Sequence, residues 1–304
     1  MRVFIFSSTS SSCAGHLFRI VAIGVLATLL FISFGESVAE NGNTFSEKKI
    51  EFESKGRDRS DTIFGYLSKP RGQENLSAAI LLHGCTGLDL NGHQVAWHGL
   101  VQHARFLNKH NFVTLIVDSH GSRGIGTSRS WRDSCVNGEG FWERTDDVYG
   151  AVKYLQHKEY INPNQIVLLG QSQGAMVVFN SLNSDQAHPQ RPIAAGVAYY
   201  PYCGYPKQPN SFYAPIIIIT GAKDNITPSR YCDSFVEYIK ENEKEKHLVP
   251  SILKYKNAHH SFDLPLERLH RTPIGTVAPN TYATLDSRDK YVEFLDLVLS
   301  NKQK

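Results

Sequence analysis

The chain has 304 residues, 41% of them hydrophobic and 20% charged, so it can bury one sizeable core, and a single α/β domain commonly uses that whole length. Its formal net charge is only +3, and no helix-length stretch gathers Lys and Arg into a phosphate-tracking stripe, which argues against nucleic acid as a partner.

In chain order, the first forty residues differ in kind from the rest. Arg2 and Arg19 precede an uncharged apolar run over 20–34, which gives way to Ser37-Val38-Ala39. Small residues at that point fit a signal-peptidase site, so residues 1–39 read as a signal peptide and 40–304 as a mature domain exported to the periplasm or the medium. The competing reading is an uncleaved anchor, because the run is just shorter than the roughly 17 to 25 residues of a spanning helix. In both readings the membrane is met only through this segment.

A polar stretch over 40–61 follows, with strand candidates at 49–53 and 62–67 that read as an edge hairpin. From residue 78 onward, short apolar runs alternate with amphipathic stretches, the signature of βαβ units and a largely parallel sheet. Strands are expected at 79–82, 112–117, 166–169, 194–199, 216–220 and 252–255, each nearly free of charge, as a strand covered on both faces should be. Helices are expected near 95–107, 146–156, 174–182, 229–242 and 288–299. In the last of these Tyr291, Phe294, Leu295 and Val298 recur on one face. The stretch 264–285, rich in proline, threonine and charge, is expected to be an irregular loop.

Export would leave Cys85, Cys135, Cys203 and Cys232 in a compartment where disulfides persist. Cys203 and Cys232 each fall just past a predicted neighbouring strand, which makes Cys203–Cys232 the expected bridge. Cys85 and Cys135 would pair with each other or remain buried thiols.

The segment Gly170-Gln171-Ser172-Gln173-Gly174 lies between a predicted strand and a predicted helix, and matches a nucleophile elbow. A serine on so sharp a turn needs small neighbours, and the flanking glycines supply them. A hydroxyl is a poor nucleophile at neutral pH, so Ser172 needs a base and a carboxylate to orient that base, in the chain order Ser, acid, His. Asp224, just past the strand at 216–220, satisfies that order. Asp118 precedes the serine and reads as a loop anchor, and Asp263 is a weaker rival for the acid. The base lies in His259-His260, between which spacing does not choose.

A tetrahedral oxyanion needs two backbone N–H donors. Gln173, directly after the nucleophile, is one, and Cys85 in the loop His83-Gly84-Cys85-Thr86-Gly87 is the expected second. His93, His98 and His103 step by five, off any shared helix face, and no HExxH or paired CxxC accompanies them, so no metal is expected.

Together these residues resemble the dienelactone hydrolase family of the α/β hydrolases, over about residues 79–262. The resemblance rests on the His83 loop, on Val117-Asp118-Ser119-His120-Gly121-Ser122-Arg123-Gly124, on the elbow at Ser172, on Tyr200-Pro201, on Asp224, and on His260 followed by Phe262. The His-small-Phe pattern selects His260 over His259. The resemblance implies the α/β-hydrolase fold, a three-layer sandwich with helices on both faces of a mostly parallel sheet, and hydrolysis of a small ester or lactone without a cofactor. The family's namesake enzymes carry a cysteine nucleophile, and Ser172 in its place points to more general ester substrates. By the same resemblance Arg123 would face the cleft and hold a substrate carboxylate, unless it ties down a loop. Tyr200, with Trp131 and Trp142, would line an apolar pocket or else pack in the core. The rival functions are a peptidase or amidase of the same fold and an exported ligand-binding protein without turnover.

Overall fold

The computed structural model describes residues 47–55, 60–89, 94–125, 141–185, 190–204 and 209–301. The expected leader 1–39, His93, Trp131 and Cys135 lie outside the described residues.

Two strands, β1 (Glu47–Lys55) and β2 (Ser60–Ser68), pair antiparallel and set Ile50 opposite Gly65 and Phe52 opposite Ile63. The sheet continues through β3 (Leu76–Leu82), β4 (Phe112–Asp118), β5 (Ile161–Gln171), β6 (Ile193–Tyr199), β7 (Ile216–Gly221) and β8 (Ser251–Tyr255). Its spatial order is β1-β2-β4-β3-β5-β6-β7-β8. The six strands from β3 onward are parallel, and β2 joins them antiparallel through β4, so the predicted hairpin forms the edge.

The helices are α1 (Val95–Lys109), α2 (Phe141–Gln156), α3 (Gln173–Leu182), α4 (Arg230–Asn242) and α5 (Thr281–Asn301). Along β3, Ala78, Ile80 and Leu82 face one core, shared with Val148, Val178 and Phe235 of α2, α3 and α4. Ala79 and Leu81 face the other, shared with Leu100 of α1 and Leu295 of α5. Each central strand thus meets apolar side chains on both faces, and each such Leu or Ile stabilises by about 1.5–3 kcal/mol relative to leaving it in water. Among the described residues, no helix is long and apolar enough to cross a membrane.

The expected irregular loop at 264–285 is instead largely ordered. It carries a short hairpin, β9 (His270–Thr272) paired with β10 (Gly275–Val277), and the first turn of α5. Asn280 starts that helix early, because its side chain accepts the Ala283 N–H at 3.0 Å and its carbonyl accepts the Thr284 N–H at 2.9 Å. On α5 Tyr291 and Leu295 are buried as expected, with Phe294 and Val298 partly so.

Cys203 and Cys232 form a disulfide, with Cα atoms 4.8 Å apart, that joins the segment after β6 to the first turns of α4. Cys85 is disulfide-bonded as well, and is therefore not a free thiol.

The chain leaves β3 toward β4 on one side and returns to β5 on the other. Such a switch point opens a crevice above the carboxyl ends of the strands, where ligands of open α/β sheets bind. The loops after β3, β5, β7 and β8 all emerge at that edge.

Candidate active site

Ser172 is the single residue between β5 and α3, and it sits at φ 53°, ψ −115°. A positive φ is strained for a residue with a side chain, and the surrounding packing must hold it. The glycines make that packing possible. A Cβ on Gly170 would collide with the Gly174 carbonyl, and one on Gly174 with the carbonyls of Leu82 and His83. The elbow is thereby pressed against the end of β3.

The other two predicted residues converge on this hydroxyl. His260 Nε2 lies 3.1 Å from Ser172 Oγ, and His260 Nδ1 lies 2.8 Å from Asp224 Oδ2. Asp224 and His260 are 5% exposed, so the relay is screened from bulk water. Asp224 Oδ1 accepts the N–H groups of Ile226 and Thr227, at 2.9 and 2.8 Å, and Oδ2 accepts the Thr227 hydroxyl at 2.8 Å. Burial alone would raise the Asp224 pKa, but the hydrogen bonds from His260 and Thr227 outweigh it and hold the carboxyl below its ordinary value. A hydroxyl, an imidazole and an ionised carboxylate in this sequence can move a proton off the hydroxyl. His259 is not brought to Ser172, and among the described residues its buried Nδ1 has no hydrogen-bond partner.

The loops that carry Asp224 and His260 lean on each other. Ala258 accepts the Lys223 N–H at 3.0 Å, and only a glycine fits at 221, because a Cβ there would strike the Ala258 carbonyl. The β9–β10 hairpin spans both: Thr276 N–H donates to the Asn225 side chain at 2.8 Å, and Ala278 N–H to the His260 carbonyl at 3.3 Å.

The segments of the two expected oxyanion donors, Cys85 and Gln173, adjoin the serine. Gln173 opens α3, in the first turn, where backbone N–H groups have no intrahelical partner. Gly84, just before Cys85, lies against the elbow so closely that a Cβ on it would sit 3.5 Å from Ser172 Cβ.

Arg123 and Tyr200, each open to a substrate or a structural reading, make contacts within the protein. Arg123 donates to Asp61 Oδ2 from Nε, to both carboxylate oxygens of Asp147 and to the Ser119 carbonyl, at 2.8 to 2.9 Å. It ties the turn after β4 to β2 and α2, and its guanidinium is committed to carboxylates of the protein. Tyr200 is 1% exposed and gives its hydroxyl to Asp263, while its ring packs 4.6 Å from the His260 imidazole. Its ring backs the His260 imidazole from the buried side. Trp142 starts α2, and Trp131 falls outside the described residues.

Asp118, expected as a loop anchor, accepts the Gly121 N–H at 2.8 Å. Asp263, the weaker rival for the acid, is fully buried and takes three donors: His103 Nε2, Gln171 Nε2 and the Tyr200 hydroxyl, each at 2.7 Å. Burial works against its charge, but these bonds prevail and keep its pKa below the ordinary value. His103, its own pKa lowered by burial, is a neutral donor to it. Sequence reading missed this hub, and it missed Thr227 and Arg144. Arg144 is fully buried on α2, with Nη2 2.6 Å from the His83 carbonyl and Nη1 2.7 Å from Gln173 Oε1.

Comparison with known proteins agrees with this architecture. Residues 98–202 match the model of the prolyl oligopeptidase family (Peptidase_S9). Among solved structures, a dienelactone hydrolase-like promiscuous phosphotriesterase from metagenomic libraries superposes with a TM-score of 0.66 at 16% identity, covering 84% of this chain and 98% of its own. A candidate dienelactone hydrolase from Klebsiella pneumoniae gives 0.63 at 13% identity, covering 83% and 99%. Propionate-bound esterase 2 of Thermogutta terrifontis gives 0.59 at 16%, covering 84% and 94%. No curated protein sequence matches the chain. The chain has the α/β-hydrolase fold, with a mostly parallel central sheet between two layers of helices.

Proposed function

We propose, from the α/β-hydrolase fold and the Ser172–His260–Asp224 relay, that the protein is an exported serine hydrolase that cleaves a small carboxylic ester or lactone through an acyl-enzyme on Ser172. The observation that carries this reading is the continuous run of hydrogen-bond distances from Ser172 Oγ to Asp224, 3.1 and then 2.8 Å, with the hydroxyl held on a left-handed backbone.

In this mechanism His260 Nε2 takes the hydroxyl proton as Ser172 Oγ attacks the ester carbonyl carbon. Asp224 holds the Nδ1–H tautomer and offsets the imidazolium charge that forms. The negative oxygen of the tetrahedral adduct falls to the N–H groups of Cys85 and Gln173, each worth on the order of 3 kcal/mol. Collapse of the adduct breaks the bond to the alcohol oxygen, which takes the proton from His260. Water then attacks the acyl group by the same path and releases the acid, and no cofactor takes part. The Cys203–Cys232 disulfide supports export, since cytosolic thiols are kept reduced.

Amide cleavage is the second reading, favoured by the match of residues 98–202 to a peptidase family. One experiment separates these readings from binding without turnover. Purified wild type and Ser172→Ala are treated with a fluorophosphonate probe and assayed on a panel of p-nitrophenyl esters, lactones and anilides. The expected result is labelling at Ser172 with ester or lactone turnover above that of anilides, and neither labelling nor turnover in the variant. Turnover that survives Ser172→Ala rejects the mechanism, and a wild type that does not label rejects a serine hydrolase altogether.

A further inference from the structure

We infer that Arg144 is the positioning residue of the oxyanion site, its buried guanidinium fastening together the two chain segments whose N–H groups must point at one oxygen. The inference rests on the hydrolase reading above.

The two segments are remote in sequence and differ in stiffness. Gln173 belongs to the first turn of a helix, whereas Cys85 belongs to a loop that reverses through Gly87 at φ 76° and has a 3.2 Å bond from Gly87 N–H to the Gly84 carbonyl. Donors for an oxyanion act well only when their geometry is set before the charge appears. Arg144 reaches both segments at once, the loop through the His83 carbonyl and the helix through the Gln173 side chain. The planar guanidinium presents its donors in a rigid fork, so a bond to one segment fixes where the other must lie.

The surroundings suit a permanent cation. The imidazoles of His83 and His120 lie edge to face, 4.7 Å apart, beside it. Burial first, and then the Arg144 charge, pushes His83 well below its ordinary value and His120 down to about 3, so both stay neutral at physiological pH. Burial raises the Asp118 pKa, and the Arg144 charge is among the influences that work against that rise. Burying a guanidinium is costly, and the short bonds to the walls of the crevice help to offset that cost.

The test compares wild type, Arg144→Met, Arg144→Lys and Gln173→Met, the last cutting the Gln173 strap while keeping the Gln173 N–H. Rates on a p-nitrophenyl ester are divided by the sites titrated to completion with fluorophosphonate, which discounts misfolded protein. Loss of one oxyanion donor costs about 100- to 1000-fold, so a loosened site should lose about a hundredfold in kcat for Arg144→Met and about tenfold for Gln173→Met, with Arg144→Lys between them. KM should hold within about threefold, because the bond lost forms only in the transition state. A trifluoromethyl ketone, which closes onto Ser172 as a charged adduct, should weaken in proportion to kcat/KM, whereas the product carboxylate should bind as before. A merely structural role would lower the melting temperature and leave kcat per titrated site intact, and that outcome overturns the inference. Should Arg144→Met fail to fold, an unchanged kcat in Gln173→Met overturns it equally. A wild type that never labels removes the hydrolase reading and this inference with it, whereas a labelling wild type with unaltered variants removes this inference alone.

Discussion

Tyr200 donates its hydroxyl to Asp263 over 2.7 Å, and through that bond the ring that backs His260 is fastened to the same carboxylate that holds Gln171, the residue before Ser172. The end of β5, the end of β6 and the His260 loop therefore share one buried anion. The pairing makes Tyr200 a support for the imidazole, and its own pKa is driven far above the ordinary value by burial, then by Asp263.

Tyr200→Phe should therefore cost stability before it costs recognition. A hydrogen bond to a charged group contributes about 1.5–3 kcal/mol, and that loss should appear in urea denaturation, with KM for short esters unchanged. A raised KM at unchanged stability would place the hydroxyl against substrate after all.

Asp224→Asn should leave the fold standing and remove most of the activity. An amide at 224 can present its NH2 group to His260 Nδ1, which favours the tautomer with the proton on Nε2, facing the serine. The expected loss in kcat is about 10,000-fold, at similar KM, measured on the ester that the wild type turns over best. A loss under about tenfold would show that another group orients the imidazole.

A share of the acid sensitivity, alongside that of His83 and His103, should be traceable to His120. Its imidazole is 1% exposed, among the described residues neither ring nitrogen has a hydrogen-bond partner, and its folded pKa of about 3 lies below the unfolded 6.5. A group depressed in the folded state contributes stability that is whole above pH 6.5 and lost as pH falls toward 3, since the unfolded chain takes up the proton first. At pH 5 that uptake favours the unfolded state by about 2 kcal/mol. His120→Leu abolishes it, so the unfolding free energy of the variant relative to wild type should rise by about 2 kcal/mol between pH 7 and pH 5. A difference that does not change with pH would refute the assignment.

What could be read from the chain before folding follows a physical rule. The central strands were legible because both faces are covered, which makes each one a continuous apolar run such as Ile216 to Ile219. Ser172 and Asp224 were legible because each lies just past a strand, where turn residues and their order carry the signal, whereas His260 was told from His259 only by the family resemblance. The β9–β10 hairpin left no such trace, since its strands are three residues long and not fully buried. The partners of buried polar groups were hidden for a different reason. His103 and Asp263 stand 160 residues apart, and nothing local to either marks it as interior. Arg123 shows the same effect in reverse. The motif around it displays a basic side chain near the cleft, but Asp61 and Asp147, which consume its charge, arrive from β2 and α2.

The hairpin over 270–277 acts as one clasp across the loops of Asp224 and His260. Thr276 grips the turn that carries the carboxylate, and Val277 and Ala278 grip the chain at the imidazole, so neither partner of the relay can wander without the other. Fraying of this small element would disarm acid and base in a single event. Catalysis would then fall silent abruptly on warming, while the eight-stranded sheet beneath was still intact.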